Sequence, residues 1–272
     1  MKLYNELKSE IKNMKYIKPE IFSTRDELRK SYQSKTPFRY LVIDNILNED
    51  GAKEVHEQYP AIKDGEWDGT TYIDQKNKFQ KRVFEKNSCM QNVFDELNSD
   101  EFLQWLNYIT DIKEPLISDP SLFGGGLHQS INGAFLNVHV DYNIHPVTKF
   151  HRRLNVLIYM NQGWKDEYEG HLELWEINDS QKRLLEKITP KFNRLVVFET
   201  NEVSFHGHPK PLNTPADVSR KSLATYYYTK TRPSSEVADE HNTLYINTEG
   251  AKGSVKRFKS GVKAFLERVN LK

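Results

Sequence analysis

The chain has 272 residues, 39 Lys+Arg against 38 Asp+Glu, and a formal net charge of +1. With 37% hydrophobic and 28% charged residues, it has the make-up of a globular protein long enough to bury a core. The balanced charge gives no electrostatic reason to expect nucleic acid or an anionic membrane as a partner, and the lone cysteine, Cys89, excludes an internal disulfide.

No segment approaches the roughly 18 consecutive apolar residues of a membrane span. Met1 to Lys15 is rich in Lys and Glu and lacks the apolar stretch of a secretory signal, so a cytoplasmic location is expected. Cys89 is expected to act as a small buried hydrophobe rather than a nucleophile.

Residues 1–35 read as a helical N-terminal extension, with Leu3, Leu7 and Ile11 at four-residue spacing. Residues 36–272 are expected to form one domain. Phe38 to Ile43 is a strand pattern after Pro37, and Asn48, Glu49 and Asp50 open a helix that should run to about Tyr59. Residues 64–80 are polar and expected to be loop or edge strand. A helical region follows over about 90–110. Leu122-Phe123-Gly124-Gly125-Gly126 reads as a tight turn or bulge; no Gly-Lys-Ser/Thr follows it, which excludes a phosphate loop.

From Leu127 onward, short β-rich runs alternate with Gly, Asn, Asp and Pro: 127–131, 134–140, 153–160, 170–177, 194–198, 203–206 and 223–229. Such spacing predicts an all-β sandwich or barrel core. The basic amphipathic stretch 254–269 is expected to be a helix packed outside the sheet. The fold class expected is therefore α+β, mainly β, with helices on one side.

On a strand, residues two apart share a face, so His139 and Asp141 project into the same space. Ser204-Phe205-His206-Gly207-His208 follows 65 residues after Asp141, at the end of another predicted strand. Two imidazoles and one carboxylate on one side of a metal leave coordination positions open on the other, the arrangement of Fe(II) oxygenases. A zinc hydrolase also uses such a set, and His-x-Asp alone also fits a surface strand. Arg220 opens a strand 14 residues after His206, and Ser222 shares its face. A guanidinium fork with a hydroxyl beside it suits the far carboxylate of a dicarboxylic acid. The loop from Tyr142 carries His145, His151, Arg152 and Arg153, a candidate mouth for an anionic substrate, or a solvated loop.

His139-Val140-Asp141, Arg153 to Asn161, Gly170 to Leu174, Pro190 to Phe198, the His206 cluster and Arg220 to Tyr228 occur in that order. Together they resemble the prolyl-4-hydroxylase-like branch of the Fe(II)/2-oxoglutarate-dependent oxygenases. The resemblance covers roughly residues 120–230. It implies a double-stranded β-helix (jelly roll) core with the metal at one mouth. It also implies His206, rather than His208, as the third ligand, and leaves His208 to line the site or bind substrate. Arg220 and Ser222 would anchor 2-oxoglutarate, with Tyr159 and Asn155 as further co-substrate contacts. Gln129 stands where relatives often carry a tyrosine.

Asp141 is present where halogenating relatives have a small residue, so the implied reaction is hydroxylation. It would use Fe(II), 2-oxoglutarate and O₂, and give succinate and CO₂. The substrate is open between a small molecule and a protein side chain. A cupin-like jelly roll that binds metal or sugar without turnover, and a zinc-dependent hydrolase, are the rival readings.

Overall fold

The computed structural model describes residues 14–62, 67–179 and 181–246. The expected helix through Leu3, Leu7 and Ile11 and the expected helix over 254–269 lie outside the described residues.

Among the described residues five α-helices form. After the short α1 (Glu20–Ser23) and α2 (Arg25–Gln33), α3 (Glu49–Glu57) begins at Asn48, whose side chain accepts the Gly51 amide at 2.8 Å. The region expected to be helical over 90–110 is two helices, α4 (Cys89–Leu97) and α5 (Asp100–Thr110). Ser99 breaks the run because its hydroxyl caps α5, accepting the Phe102 amide at 3.3 Å, with Asp100 and Glu101 in the favourable first turn. Cys89 is buried, as expected. No described helix is long and apolar enough to cross a membrane.

Among the described residues the strands form one curled antiparallel sheet. They are β1 (Tyr40–Asp44), β2 (Asp68–Tyr72), β3 (Gln75–Lys81), β4 (Ile117–Ser118), β5 (Gly126–Val140), β6 (His151–Tyr159), β7 (Leu172–Ile177), β8 (Lys182–Ile188), β9 (Arg194–Glu199), β10 (Phe205–His208), β11 (Arg220–Thr229) and β12 (Leu244–Tyr245). The main order is β1-β9-β6-β11-β5-β10-β7-β8. The two expected runs at 127–131 and 134–140 are one strand, β5. Its first half pairs with β11 and its second half with β10, so it links both leaves of the roll. Residues 64–80, expected as loop or edge strand, contribute the β2–β3 hairpin, and β3 lies along the other side of β5.

Strand alternation sorts the side chains. Leu154, Val156 and Ile158 of β6, Leu195 and Val197 of β9, and Leu223 and Tyr227 of β11 pack outward against Val55, Val93, Phe94, Phe102 and Trp105 of the helices. Tyr16, Ile17, Ile21, Phe22 and Tyr32, from the N-terminal segment, are buried in this same cluster. The alternate residues face the interior of the roll, where Tyr159, Leu172, Leu174, Val196 and Phe198 form a second cluster. Beyond that cluster the interior is polar.

The glycine run before β5 serves close backbone approach. A Cβ on Gly125 would lie 2.6 Å from the Ala224 carbonyl oxygen, and Gly126 has φ +93°.

Candidate active site

The strand pairing delivers three side chains that could hold a metal ion to one place. His139 lies near the end of β5, Asp141 just beyond it, and His206 of β10 stands in register across from His139. A bulge sets three residues of β10, His206 to His208, against four of β5, His139 to Leu136. His139 Nε2 is 3.5 Å from Asp141 Oδ1, and His206 Nε2 is 3.4 Å from Asp141 Oδ2. One ligand atom from each residue lies within 4.8 Å of the others, and all three residues are buried.

The imidazoles are fixed in the tautomer that ligation requires. His139 Nδ1 donates to the Asn137 carbonyl at 2.7 Å, and His206 Nδ1 donates to the Ser204 carbonyl at 2.9 Å. A carbonyl oxygen can only accept, so each Nε2 keeps its lone pair and faces the triad. Burial, with His139 alongside, pushes the His206 imidazolium down to about 4, so the ring is neutral at ordinary pH. Two imidazoles and a carboxylate are a donor set that fits a divalent first-row metal.

Asp141 is held ionised from behind. Burial opposes its charge, but Arg152, His206 and His139 together outweigh burial and hold the carboxyl well below its usual range. Arg152 Nη2 is 3.1 Å from Asp141 Oδ2, and the Asn155 amide donates to the same oxygen at 2.6 Å. Arg152 also donates to Asn155 Oδ1, from Nη2 at 2.6 Å and Nε at 3.0 Å. Its guanidinium carbon lies 3.6 Å from the Tyr226 ring centroid and 4.4 Å from that of Tyr142.

The other end of the β6–β11 ladder carries the second set of expected residues. Ser222 faces Tyr159 across the ladder, and Arg220 is buried beside them. Arg220 Nη2 donates to the Tyr159 hydroxyl at 3.0 Å, and Nε donates to the Gly170 carbonyl at 2.7 Å. Arg220 forms no ion pair among the described residues. Gly170 is required here: with φ +68°, a Cβ would lie 2.2 Å from Leu212 Cδ2 and 3.1 Å from Arg220 Cδ. The interior row thus brings Arg220, Ser222 and Tyr159 together.

Other expectations change. Asn155 spends its amide on Asp141 and Arg152 instead of joining Arg220 and Tyr159. Arg152 is buried rather than solvated, and Arg153 pairs with Glu114 and Glu236, each at 3.3 Å. Gln129 lies in register with Lys221 on the face opposite Ser222 and donates to Ser219 Oγ at 2.7 Å. The β5 residue facing Ser222 is His128. His208 is buried near Arg220, with Nδ1 unpartnered among the described residues. Burial, aided by Arg220 and Lys78, holds its imidazolium well below the usual range.

Lys78 of β3 was not singled out from the sequence. It lies in the polar run Gln75-Lys76-Asn77-Lys78-Phe79-Gln80, where no hydrophobic alternation marks the inner face. It is in register with Ser130, as is Arg220 from the opposite side, so all three face inward.

Residues 125–228 match the family model described as the 2OG-Fe(II) oxygenase superfamily. The chain is 23% identical over 226 residues to prolyl 3-hydroxylase OGFOD1 of Mus musculus; the match covers 77% of this chain and spans 38% of that relative's length. Two solved structures share its fold. One is a prolyl hydroxylase from Trichoplax adhaerens in complex with a hypoxia inducible factor oxygen degradation domain peptide fragment, with TM-score 0.56 and 16% identity over 76% of this chain and 90% of that one. The other is a prolyl-4-hydroxylase from Pseudomonas putida, with TM-score 0.50 and 18% identity over 74% of this chain and 98% of that one. The core is the jelly roll that the family resemblance implies, within the sandwich or barrel class expected from the strand spacing.

Proposed function

We propose that the chain is a 2-oxoglutarate-dependent dioxygenase that hydroxylates an unactivated C–H bond, a reading supported by the match of residues 125–228 to the 2OG-Fe(II) oxygenase superfamily model. The observation that carries this reading is the convergence of His139, Asp141 and His206, with both Nε2 lone pairs turned toward one point. In this reading these three residues hold Fe(II). Iron with 2-oxoglutarate supplies the O₂-dependent oxidation, with succinate and CO₂ as co-products.

The chain's own part is positioning. Arg220 and the Tyr159 hydroxyl offer donors to the far carboxylate of 2-oxoglutarate, with Ser222 on the same face. Arg152 and Asn155 hold Asp141 as a carboxylate in one orientation. The buried Arg220–Tyr159 pair gives the oxygenase reading its advantage over a zinc hydrolase or a cupin-like binder, because neither rival needs a second anion clamp there. The similarity to prolyl hydroxylases supports a prolyl residue of a protein or peptide as the substrate class.

The test is succinate formation from 2-oxoglutarate by the purified chain, which is expected to need Fe(II) and O₂. His139→Ala is expected to abolish it. Normal succinate formation by that variant removes His139 from the ligand set.

A further inference from the structure

Beside the triad lies a cavity of about 230 Å³, in which Gln75, Lys78 and Gln80 of β3 stand opposite His139, Asp141 and Arg152. Lys78 is half-buried, and among the described residues its ammonium makes no hydrogen bond or ion pair. Burial pulls its ammonium down to about 8; Asp141 opposes that shift, while Arg220 and Arg152 add to it. An ammonium kept inside a protein without a counter-ion is costly unless an anion joins it.

We propose that Lys78 is the substrate-recognition residue of this site, its ammonium capturing a carboxylate on the primary substrate and seating it over the metal end of the pocket. This rests on the oxygenase reading above. Three features support it.

The first is position. Arg220, Ser130 and Lys78 form a row across β11, β5 and β3 on the inner face. Adjacent strands are about 4.8 Å apart, so the outer two backbones stand about 10 Å apart. Arg220 is tied to Tyr159 and Gly170 at one end of the row, where the co-substrate's far carboxylate belongs. Lys78 is at the other end, on the wall of the cavity that holds the triad.

The second is charge. Asp141 is the only carboxylate among the described residues lining the cavity, and Arg152 already pairs with it. Lys78, Arg152, Arg220 and a bound dication together outweigh Asp141 and a dianionic co-substrate. A further anion offsets the excess.

The third is donor type. Lys78 is a single point charge flanked by two amide side chains, with no guanidinium fork on its own strand. That set suits one carboxylate better than a phosphate, which gathers several donors.

The experiment uses the full chain with Fe(II) and 2-oxoglutarate under anaerobic conditions, so that binding is read without turnover. Calorimetric titration compares a panel of small carboxylates, including N-acetylproline and hexanoate, with their amides and with inorganic phosphate. Wild type is expected to prefer a carboxylate to its amide by about tenfold or more. Lys78→Met is expected to erase that preference, and Lys78→Arg to keep most of it. The 2-oxoglutarate affinity of Lys78→Met should stay within about twofold of wild type, with a melting temperature no lower than wild type as the folding control.

Three results would overturn the proposal: no carboxylate preference across the panel, a preference that survives Lys78→Met, or phosphate bound more tightly than every carboxylate. A large loss of 2-oxoglutarate affinity in Lys78→Met would also overturn it, by assigning Lys78 to the co-substrate. Failure of the oxygenase reading looks different, since wild type itself would then not bind 2-oxoglutarate in the presence of Fe(II).

Discussion

Arg152 and Arg220 stand at opposite ends of the β6–β11 ladder, both buried and both facing the interior of the roll. Arg152 has a carboxylate, an amide oxygen and two aromatic rings around it, with Asp141 as counter-ion. Around Arg220 the contacts are to neutral groups, the Gly170 carbonyl and the Tyr159 hydroxyl. A buried guanidinium with its counter-ion present is part of the structure. One without a counter-ion is destabilising until an anion arrives, and such a position is where a charged ligand gains most. One residue type on one face thus serves two purposes, and the neighbouring carboxylate distinguishes them.

The sharpest way to break this comparison is to remove Arg152. Arg152→Met leaves Asp141 buried beside Asn155 without its cation, and the metal-free protein is expected to lose about 3–5 kcal/mol of stability. Urea unfolding of the metal-free chain checks this, and a loss below about 1 kcal/mol would show the pair to be dispensable for folding. Removing Arg220 should act in the opposite sense. Arg220→Ala is expected to raise the 2-oxoglutarate KM by about tenfold or more. It should leave metal affinity measured without co-substrate unchanged, and melt no earlier than wild type. An unchanged KM would hand the anchor to another residue.

How much of this was legible in the sequence follows the same division. His139, Asp141 and His206 were readable because strand alternation and a rigid His-x-Asp spacing carry their geometry, and Arg220 with Ser222 because they share a strand face. The strand spacing likewise carried the sandwich or barrel class, and outward residues such as Val156, Val197 and Leu223 are apolar, as a helix-covered face requires. What stayed hidden depends on contacts between distant segments. Asn155 fits either a co-substrate contact or a support for Asp141, and only the approach of β5 to β6 decides. Arg152 lies in a run of charged residues that reads as solvated. Lys78 was invisible because β3 lines a polar cavity, so its inner and outer residues do not differ in hydropathy. The break at Ser99 was readable as a cap, but the apolar residues on both sides hid it within one helical stretch.

The two ends also differ in response to acid, which sharpens the comparison through pH. His128, His206 and His208 are buried, and burial lowers each imidazolium, that of His206 to about 4. The unfolded chain binds these protons near pH 6.5, and the folded chain does so only at lower pH. Stability rises with pH wherever the unfolded state binds more protons. The stability of the metal-free protein is therefore full above about pH 6.5 and falls as pH drops from there toward 4, by up to about 1.4 kcal/mol per pH unit for each histidine. Denaturant unfolding between pH 7 and pH 5 reads the slope. His208→Gln should reduce it by about one proton, and an equal slope in that variant would show that His208 protonates freely in the folded state. Arg220→Ala should also flatten it, because Arg220 is the charge that most opposes protonation of His208.

The smallest expected effect isolates the Tyr159 hydroxyl. Its hydrogen bond with Arg220 fixes the fork at the anchor end, and the ring packs in the inner apolar cluster with Leu172, Leu174 and Phe198. Tyr159→Phe keeps the ring and deletes the hydroxyl, so the cluster stays filled and only the polar contact is lost. A hydrogen bond to a charged group is worth about 1.5–3 kcal/mol gross of relaxation, but Arg220 keeps its Gly170 contact and the co-substrate carboxylate remains available to it. The net expectation is therefore about 1 kcal/mol, or roughly a fivefold loss of 2-oxoglutarate affinity, with metal affinity untouched. Equal losses in metal and co-substrate affinity would mean that the two ends of the ladder are one coupled unit, and the contrast between Arg152 and Arg220 would then describe packing rather than function.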